Sequence, residues 1–209
     1  MKTIIFDFDG TIGDSFELML DIAEHIANVP RPSDEMIEYY KQMPLPKIVK
    51  ELHIPITRLP RIILQGRQKM HERMSEVKPF KGMPEVLKAL HEHPDYQLLL
   101  MSTNSAENIK AFLKANNLEE YFDSIEGGIA VFNKASALKK TLRRHHIAAK
   151  DCYYVGDEVR DVVAASKVGI EPVSVSWGFQ GRQALVDMHP YALVDKPAEL
   201  LAVFTKATV

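Results

Sequence analysis

The apolar run Ile4-Ile5-Phe6 ends abruptly in two acids, Asp7 and Asp9, followed by Gly10 and Thr11. A strand of period two turns Asp7 and Asp9 to one face, where two carboxylates compete for one small volume. Neither ionises easily beside the other unless a cation or a proton intervenes, so the pair points to a metal ligand beside a proton carrier. Gly10 lacks a Cβ and lets a phosphate-sized group approach main-chain N–H donors, while Thr11 sets a hydroxyl at the same mouth. For Asp9-Gly10 alone a simple turn after a strand is the ordinary reading. Two acids at the rim of an apolar strand favour a functional one.

The rest of the chain alternates strand and helix patterns. Strands are predicted at Tyr96–Met101, Phe122–Glu126, Cys152–Val155, Pro172–Ser176 and Ala192–Asp195, separated by helices over 82–93, 105–117, 134–145 and 158–168 and followed by one from Pro197. This alternation implies an α/β fold: a Rossmann-like parallel sheet flanked by helices. One stretch departs from it. Seven of the twelve prolines lie between residues 30 and 79 and separate segments with helical spacing at 15–29, 34–43, 46–53 and 59–77, with Asp14 or Ser15 available to cap the first. The expected organisation is a core of residues 1–14 and 80–209 with an inserted helical cap domain at 15–79. Gly13 and Gly82 bracket the insert as hinges or as turn glycines.

A chain of 209 residues with 46% apolar content can bury a sizeable core. Its formal charge, 26 minus 28 or −2, leaves no basic footprint for nucleic acid and favours a small polar ligand. Cys152 is the only cysteine; an intrachain disulfide is excluded, structural-zinc spacing is absent, and a reducing cytoplasm is the default setting. No apolar run approaches the roughly 18 residues that span a bilayer, so no membrane partner is expected.

Ligands of open parallel sheets bind beyond the carboxyl ends of the strands, which gives weight to polar residues placed there. Four clusters qualify: Asp7-Phe8-Asp9-Gly10-Thr11; Ser102-Thr103-Asn104; Lys134; and Gly156-Asp157-Glu158-Val159-Arg160-Asp161. Ser102, Thr103 and Asn104 serve either phosphate oxygens or the cap of the next helix. Lys134 opens a helix, where a cation opposes the dipole. Asp157 leaves a strand, and Asp161 follows about one helical turn later. Glu158 is read as a dipole-satisfying residue. Lys47, Arg58, Arg61, Arg67 and Lys69 in the insert are read as a solvated helix face.

In order and spacing these clusters resemble the four motifs of the haloacid dehalogenase superfamily, and the insert is similar to its C1-type cap, with phosphoglycolate-phosphatase-like members nearest in form. The Lys-Pro pairing of many relatives is absent at Lys134-Ala135. The resemblance implies a Mg²⁺-dependent phosphatase acting on a small-molecule phosphate ester, working as a monomer or homodimer. Asp7 would be the nucleophile that forms an aspartyl-phosphate and Asp9 the general acid and base. Gly10, Thr11, Ser102, Thr103, Asn104 and Lys134 would hold the phosphoryl group, and Asp7, Asp9, Asp157 and Asp161 the metal. A sugar phosphomutase shares this chemistry. Hydrolytic dehalogenases resemble the first motif but lack the second aspartate, and a phospho-receiver or regulatory binding protein, the alternative of another class, would combine the same acids, Mg²⁺, hydroxyl and lysine, with Asp9 and the long cap arguing against it.

Overall fold

The computed structural model describes residues 1–130 and 133–205. Six parallel strands form the main sheet in the order β5-β4-β1-β6-β7-β8: β1 (Lys2–Phe6), β4 (Tyr96–Met101), β5 (Ser124–Glu126), β6 (Cys152–Gly156), β7 (Glu171–Val175) and β8 (Ala192–Val194). Strand β1 is central, with Ile5 beside Leu99 on one neighbour and Tyr154 on the other. Alternate residues feed two separate apolar clusters. Ile4, Phe6, Leu98, Leu100 and Val155 join one cluster, and Ile5, Leu99, Met101 and Tyr154 the other. Both faces are therefore covered, as parallel sheets require.

The first cluster is closed by α5 (Met83–His91), α6 (Ala106–Ala115) and α10 (Glu199–Thr205), which contribute Leu87, Phe112 and Phe204. The second is closed by α7 (Lys134–Arg144) and α8 (Val159–Val168), through Leu138, Leu142 and Ala165. Helix α9 (Arg182–Val186) has only five residues. That length carries too little periodicity to be read from sequence, and the helix was not foreseen.

Between β2 (Gly13–Asp14) and β3 (Lys78–Pro79) the α-helices are α1 (Phe16–Ala27), α2 (Asp34–Lys41), α3 (Leu45–Glu51) and α4 (Leu59–Glu72). The two short strands pair antiparallel, Gly13 with Pro79 and Asp14 with Lys78, so the segment leaves and re-enters the chain at one place. Helix α4 stops at Glu72 instead of running to Val77. Arg73 departs from helical geometry (φ −117°, ψ 12°), Met74–Glu76 forms one 3₁₀ turn, and Val77 is already extended for β3. Ser15 stands at the N-cap position of α1 but makes no capping bond; its hydroxyl is used elsewhere, as the site explains.

Candidate active site

The sheet order reverses at β1, so the ends of β4, β1 and β6 lie side by side, and three of the four clusters follow those three strands. This is the switch point at which doubly wound sheets bind ligands. The chain beyond β1 is fixed by Phe8, whose buried ring packs edge-on against Phe112 at 4.9 Å. Its carbonyl accepts from Thr11, Ile12 and Gly13 N–H at 2.9–3.2 Å, folding 8–13 into a tight loop. Gly10 has φ +76°, and a Cβ there would fall 2.2 Å from Asp157 Oδ2. A side chain at that position would displace Asp157, so the glycine is a packing requirement of the site.

Asp7 is buried beside Lys134, whose Nζ lies 2.7 Å from Asp7 Oδ2 and 2.5 Å from Asp161 Oδ1. Lys134 is 3% exposed. Burial acts to lower its pKa, but Asp161 and Asp7 outweigh burial and hold it well above the usual lysine range. The buried ammonium is thus charged, and its two carboxylates supply the counter-charge. On balance Asp7 is raised: burial and the charge of Asp161 push it up, while Lys134 and Arg160 pull against the shift. Asp7 Oδ1 also accepts from Phe8 N–H at 2.9 Å. The Lys134 ammonium stands 5.1 Å from the Tyr154 ring centroid, a further contact that favours its charged form. Asp161 Oδ2 accepts from Glu158 N–H at 3.1 Å, which ties the start of α8 to the same cluster.

Asp9 meets different company. Ser15 Oγ donates to Asp9 Oδ1 at 2.7 Å, and the Asn104 amide approaches both carboxylate oxygens at 3.3 and 3.1 Å. No cation bonds to it among the described residues. Burial is the main cause that raises its pKa to about 7, with the charge of Asp7 a smaller one; the Ser15 and Asn104 hydrogen bonds oppose the shift. Crowding by Asp7, the cause expected from the period of two, is therefore secondary. Strand β1 ends at Phe6, and the two side chains face separate partners.

Asp157 is fully buried and accepts from Thr11 Oγ1 at 2.9 Å and Phe179 N–H at 2.7 Å. Burial, then the charges of Glu158, Asp161 and Asp7, push its pKa well up. Thr11 thus holds Asp157 with its hydroxyl, and its carbonyl accepts from the Trp177 indole at 3.1 Å. Trp177 also packs near Phe80, at 6.3 Å between centroids, so it both shapes the rim and fills the loop. Ser102 is buried, and its Oγ accepts from Asn104 N–H at 3.1 Å. The cap of α6 is Ser105, which accepts from Asn108 N–H at 3.2 Å; the capping role considered for Ser102, Thr103 and Asn104 falls to the residue that follows them. Thr103 is half-buried and offers its carbonyl to Arg67 Nη2 at 2.5 Å. The Asn104 amide is turned to Asp9.

Three acids place ligand oxygens within 4.8 Å of one another: Asp7, Glu158 and Asp161. An all-oxygen carboxylate set suits a hard divalent cation such as Mg²⁺. Glu158 was missed because an acid at a helix start is ordinarily explained by the dipole. Burial raises its pKa and its contact with Arg160 opposes the shift. Arg160 is lowered by burial but raised, on balance, by Glu158, Asp161 and Asp7. It is a second cation at the cluster that its place within an acidic motif gave no reason to single out. Away from the site, burial pushes the Cys152 thiol up to about 12, leaving it unreactive.

The profile of haloacid dehalogenase-like hydrolases matches residues 4–175, and the chain belongs to that family. Over 211 residues it is 33% identical to the phosphoglycolate phosphatase of Synechococcus elongatus, covering 99% of this chain and 98% of that protein. Pyrophosphatase PpaX of Bacillus cereus is 26% identical over 214 residues, 98% of this chain and 97% of its own length. A haloacid dehalogenase-like hydrolase from Streptococcus pneumoniae shares the fold, with a TM-score of 0.80, 23% identity and 98% of each chain covered. Family and relatives together make the chain a hydrolase acting on phosphate ester bonds. No helix among the described residues is long and apolar enough to cross a membrane.

Proposed function

We propose that this hydrolase cleaves a small-molecule phosphate monoester in two displacements, with Asp7 as nucleophile and Asp9 as proton carrier. An Asp7 carboxylate oxygen attacks phosphorus, the ester P–O bond breaks, and Asp9 gives its proton to the departing oxygen. Asp9 then takes a proton from water, whose oxygen attacks phosphorus, releasing phosphate and restoring Asp7. The observation that carries this reading is the division of company between two acids two residues apart. Asp7 is paired to the Lys134 cation, whereas Asp9 meets only neutral donors and is raised to about 7. A counter-charge bonded to one carboxyl and none bonded to the other supports an anion in the first role and a proton carrier in the second.

Ser102, Thr103, Lys134 and the loop at Gly10 and Thr11 are assigned to the phosphoryl oxygens. Asp7, Asp161 and Glu158 would hold a divalent cation, with Asp9 and Asp157 adjoining. Bound there, Mg²⁺ supplies positive charge against the incoming phosphate dianion. Lys134 supplies the permanent part of that charge, and Thr11 and the Phe179 N–H hold Asp157 in place.

Residues 15–79 are proposed as the cap that selects substrate and excludes water. In support, the insert touches the far rim of the site: Gly181 N–H donates to Lys41 O and Gln180 Nε2 to Met43 O, both at 2.7 Å. Phosphoglycolate is the first substrate to test, on the strength of the full-length relative. A reducing cytoplasm suits the buried thiol of Cys152. The experiment is Asp7→Asn, assayed for phosphate release with folding checked by circular dichroism. Turnover is expected to vanish in a folded protein; appreciable release would remove Asp7 as nucleophile.

A further inference from the structure

Asn108 is fully buried, at 0% exposure, on a face of α6 otherwise built from Ile109, Phe112 and Leu113. An apolar residue would be the ordinary occupant, because a buried amide is costly unless every polar atom is partnered. Here all of them are. Asn108 Nδ2 donates to Asn104 Oδ1 at 2.9 Å and to the Arg67 carbonyl at 3.0 Å, and Asn108 Oδ1 lies 2.8 Å from His71 Nδ1. With both amide hydrogens committed, the oxygen is the acceptor, which fixes the proton of His71 on Nδ1. Asn104 Oδ1 also accepts from Ser105 N–H at 2.9 Å, which leaves the Asn104 NH₂ group to face Asp9.

We propose that Asn108 is a positioning residue for Asp9, acting through Asn104, and that it ties the orientation of Asp9 to the seating of α4. The proposal rests on the reading of Asp9 as proton carrier. The chain His71–Asn108–Asn104–Asp9 is continuous, and its two middle members are buried. At its outer end α4 is fastened to the core not only through His71 but also by Arg67 Nη2 on Thr103 O and Ile129 O, by Arg67 O on Asn108, and by Met70 Sδ 3.3 Å from Asn104 Nδ2. A shift of α4 therefore pulls on Asn104 directly. Without Asn108, Asn104 keeps only the Ser105 N–H on its carbonyl, its amide loses its fixed direction, and Asp9 retains Ser15 as its one firm partner. The backbone of α6 has no need of the Asn108 amide, since Ser105 caps the helix.

A group that acts through Asp9 is distinguished from a merely structural one by its dependence on the leaving group. An alkoxide needs the proton from Asp9, whereas 4-nitrophenolate departs without it. The test compares Asn108→Leu, Asp9→Asn and the wild type on 2-phosphoglycolate and on 4-nitrophenyl phosphate. The comparison uses kcat/KM, which reports the first irreversible step. For Asn108→Leu, kcat/KM on the alkyl ester is expected to fall about 10-fold or more, a part of the roughly 10²–10⁴-fold that general acid–base catalysis supplies. On 4-nitrophenyl phosphate the loss is expected to stay within about 3-fold, and Asp9→Asn should show the same selectivity more strongly. A selective loss in Asp9→Asn joined to a uniform loss, or none, in Asn108→Leu overturns the positioning role and leaves Asp9 as proton carrier. No selectivity in Asp9→Asn overturns the reading of Asp9, and the proposal falls with it. If Asn108→Leu does not fold, Asn108→Ala decides the same comparison.

Discussion

Replacing Lys134 by methionine keeps most of the side-chain volume and removes the charge that two buried carboxylates share. Asp7 and Asp161 lie 2.7 and 2.5 Å from the ammonium, and all three side chains are at most 5% exposed, so water cannot take its place. Breaking a buried pair by deleting one partner costs about 3–5 kcal/mol, most of it the uncompensated charge left behind. In a chain of this size that is a drop in Tm of roughly 6–20 °C, at about 2–4 °C per kcal/mol. The loss should depend on pH with a definite sign. Burial already raises Asp7, and loss of the Lys134 counter-charge raises it further. A carboxyl raised in the folded state binds its proton more tightly there than in the unfolded chain, so stability falls as pH rises through the folded pKa and returns as pH is lowered. Thermal melts of wild type and Lys134→Met in a chelating buffer, from neutral to mildly acidic pH, measure both effects. A destabilisation below about 1 kcal/mol, or one that does not shrink on acidification, would refute the argument that the ammonium neutralises a buried pair.

Two further outcomes follow from the same geometry. On the proposal that Asp9 delivers the proton, kcat/KM for an alkyl phosphate should decline as pH rises through about 7, where that proton is lost, and Asp9→Asn should abolish the limb. A flat profile from pH 6 to 9 would count against it. Chelation should reduce activity to background and Mg²⁺ should restore it, with a rise in Tm on adding the cation to the wild type, since the Asp7, Glu158 and Asp161 oxygens gain a counter-charge. Full activity after exhaustive chelation would remove the metal from the proposal.

The elements legible in the sequence are those long enough to show a period. The strand at Tyr96–Met101 coincides with its predicted bounds, and α6, α7 and α8 lie within one or two residues of theirs, because each carries several turns of apolar repeat. The pair Gly13–Asp14 and Lys78–Pro79 was not legible. Two-residue strands have no period, and their partners are separated by the whole insert. Ser15 illustrates a competing demand on one atom. Its position before α1 marks it as a cap, yet its hydroxyl is drawn to the half-buried carboxylate of Asp9, a stronger acceptor that no local pattern reveals.

The candidate site divides along the same line. Residues whose importance lies in their position at a strand end, Asp7, Asp9, Ser102 and Asp157, stand out from the chain alone. Residues whose importance lies in what they touch do not. Asn108 and Arg160 carry no pattern that singles them out, and Glu158 reads as the ordinary acid of a first helical turn. Their meaning appears only when α4, α6 and α8 are brought against the end of β1. The two acids of the opening stretch show why this matters. Spacing predicts that they crowd one another and that the crowding raises one of them. In the folded chain Phe8 is buried between them in the sequence, Lys134 claims one, Ser15 and Asn104 claim the other, and burial supplies most of the shift. The proposed division of roles thus rests on the neighbours placed at the starts of α1, α6 and α7, which is why a change as remote as Asn108 is expected to be felt at Asp9.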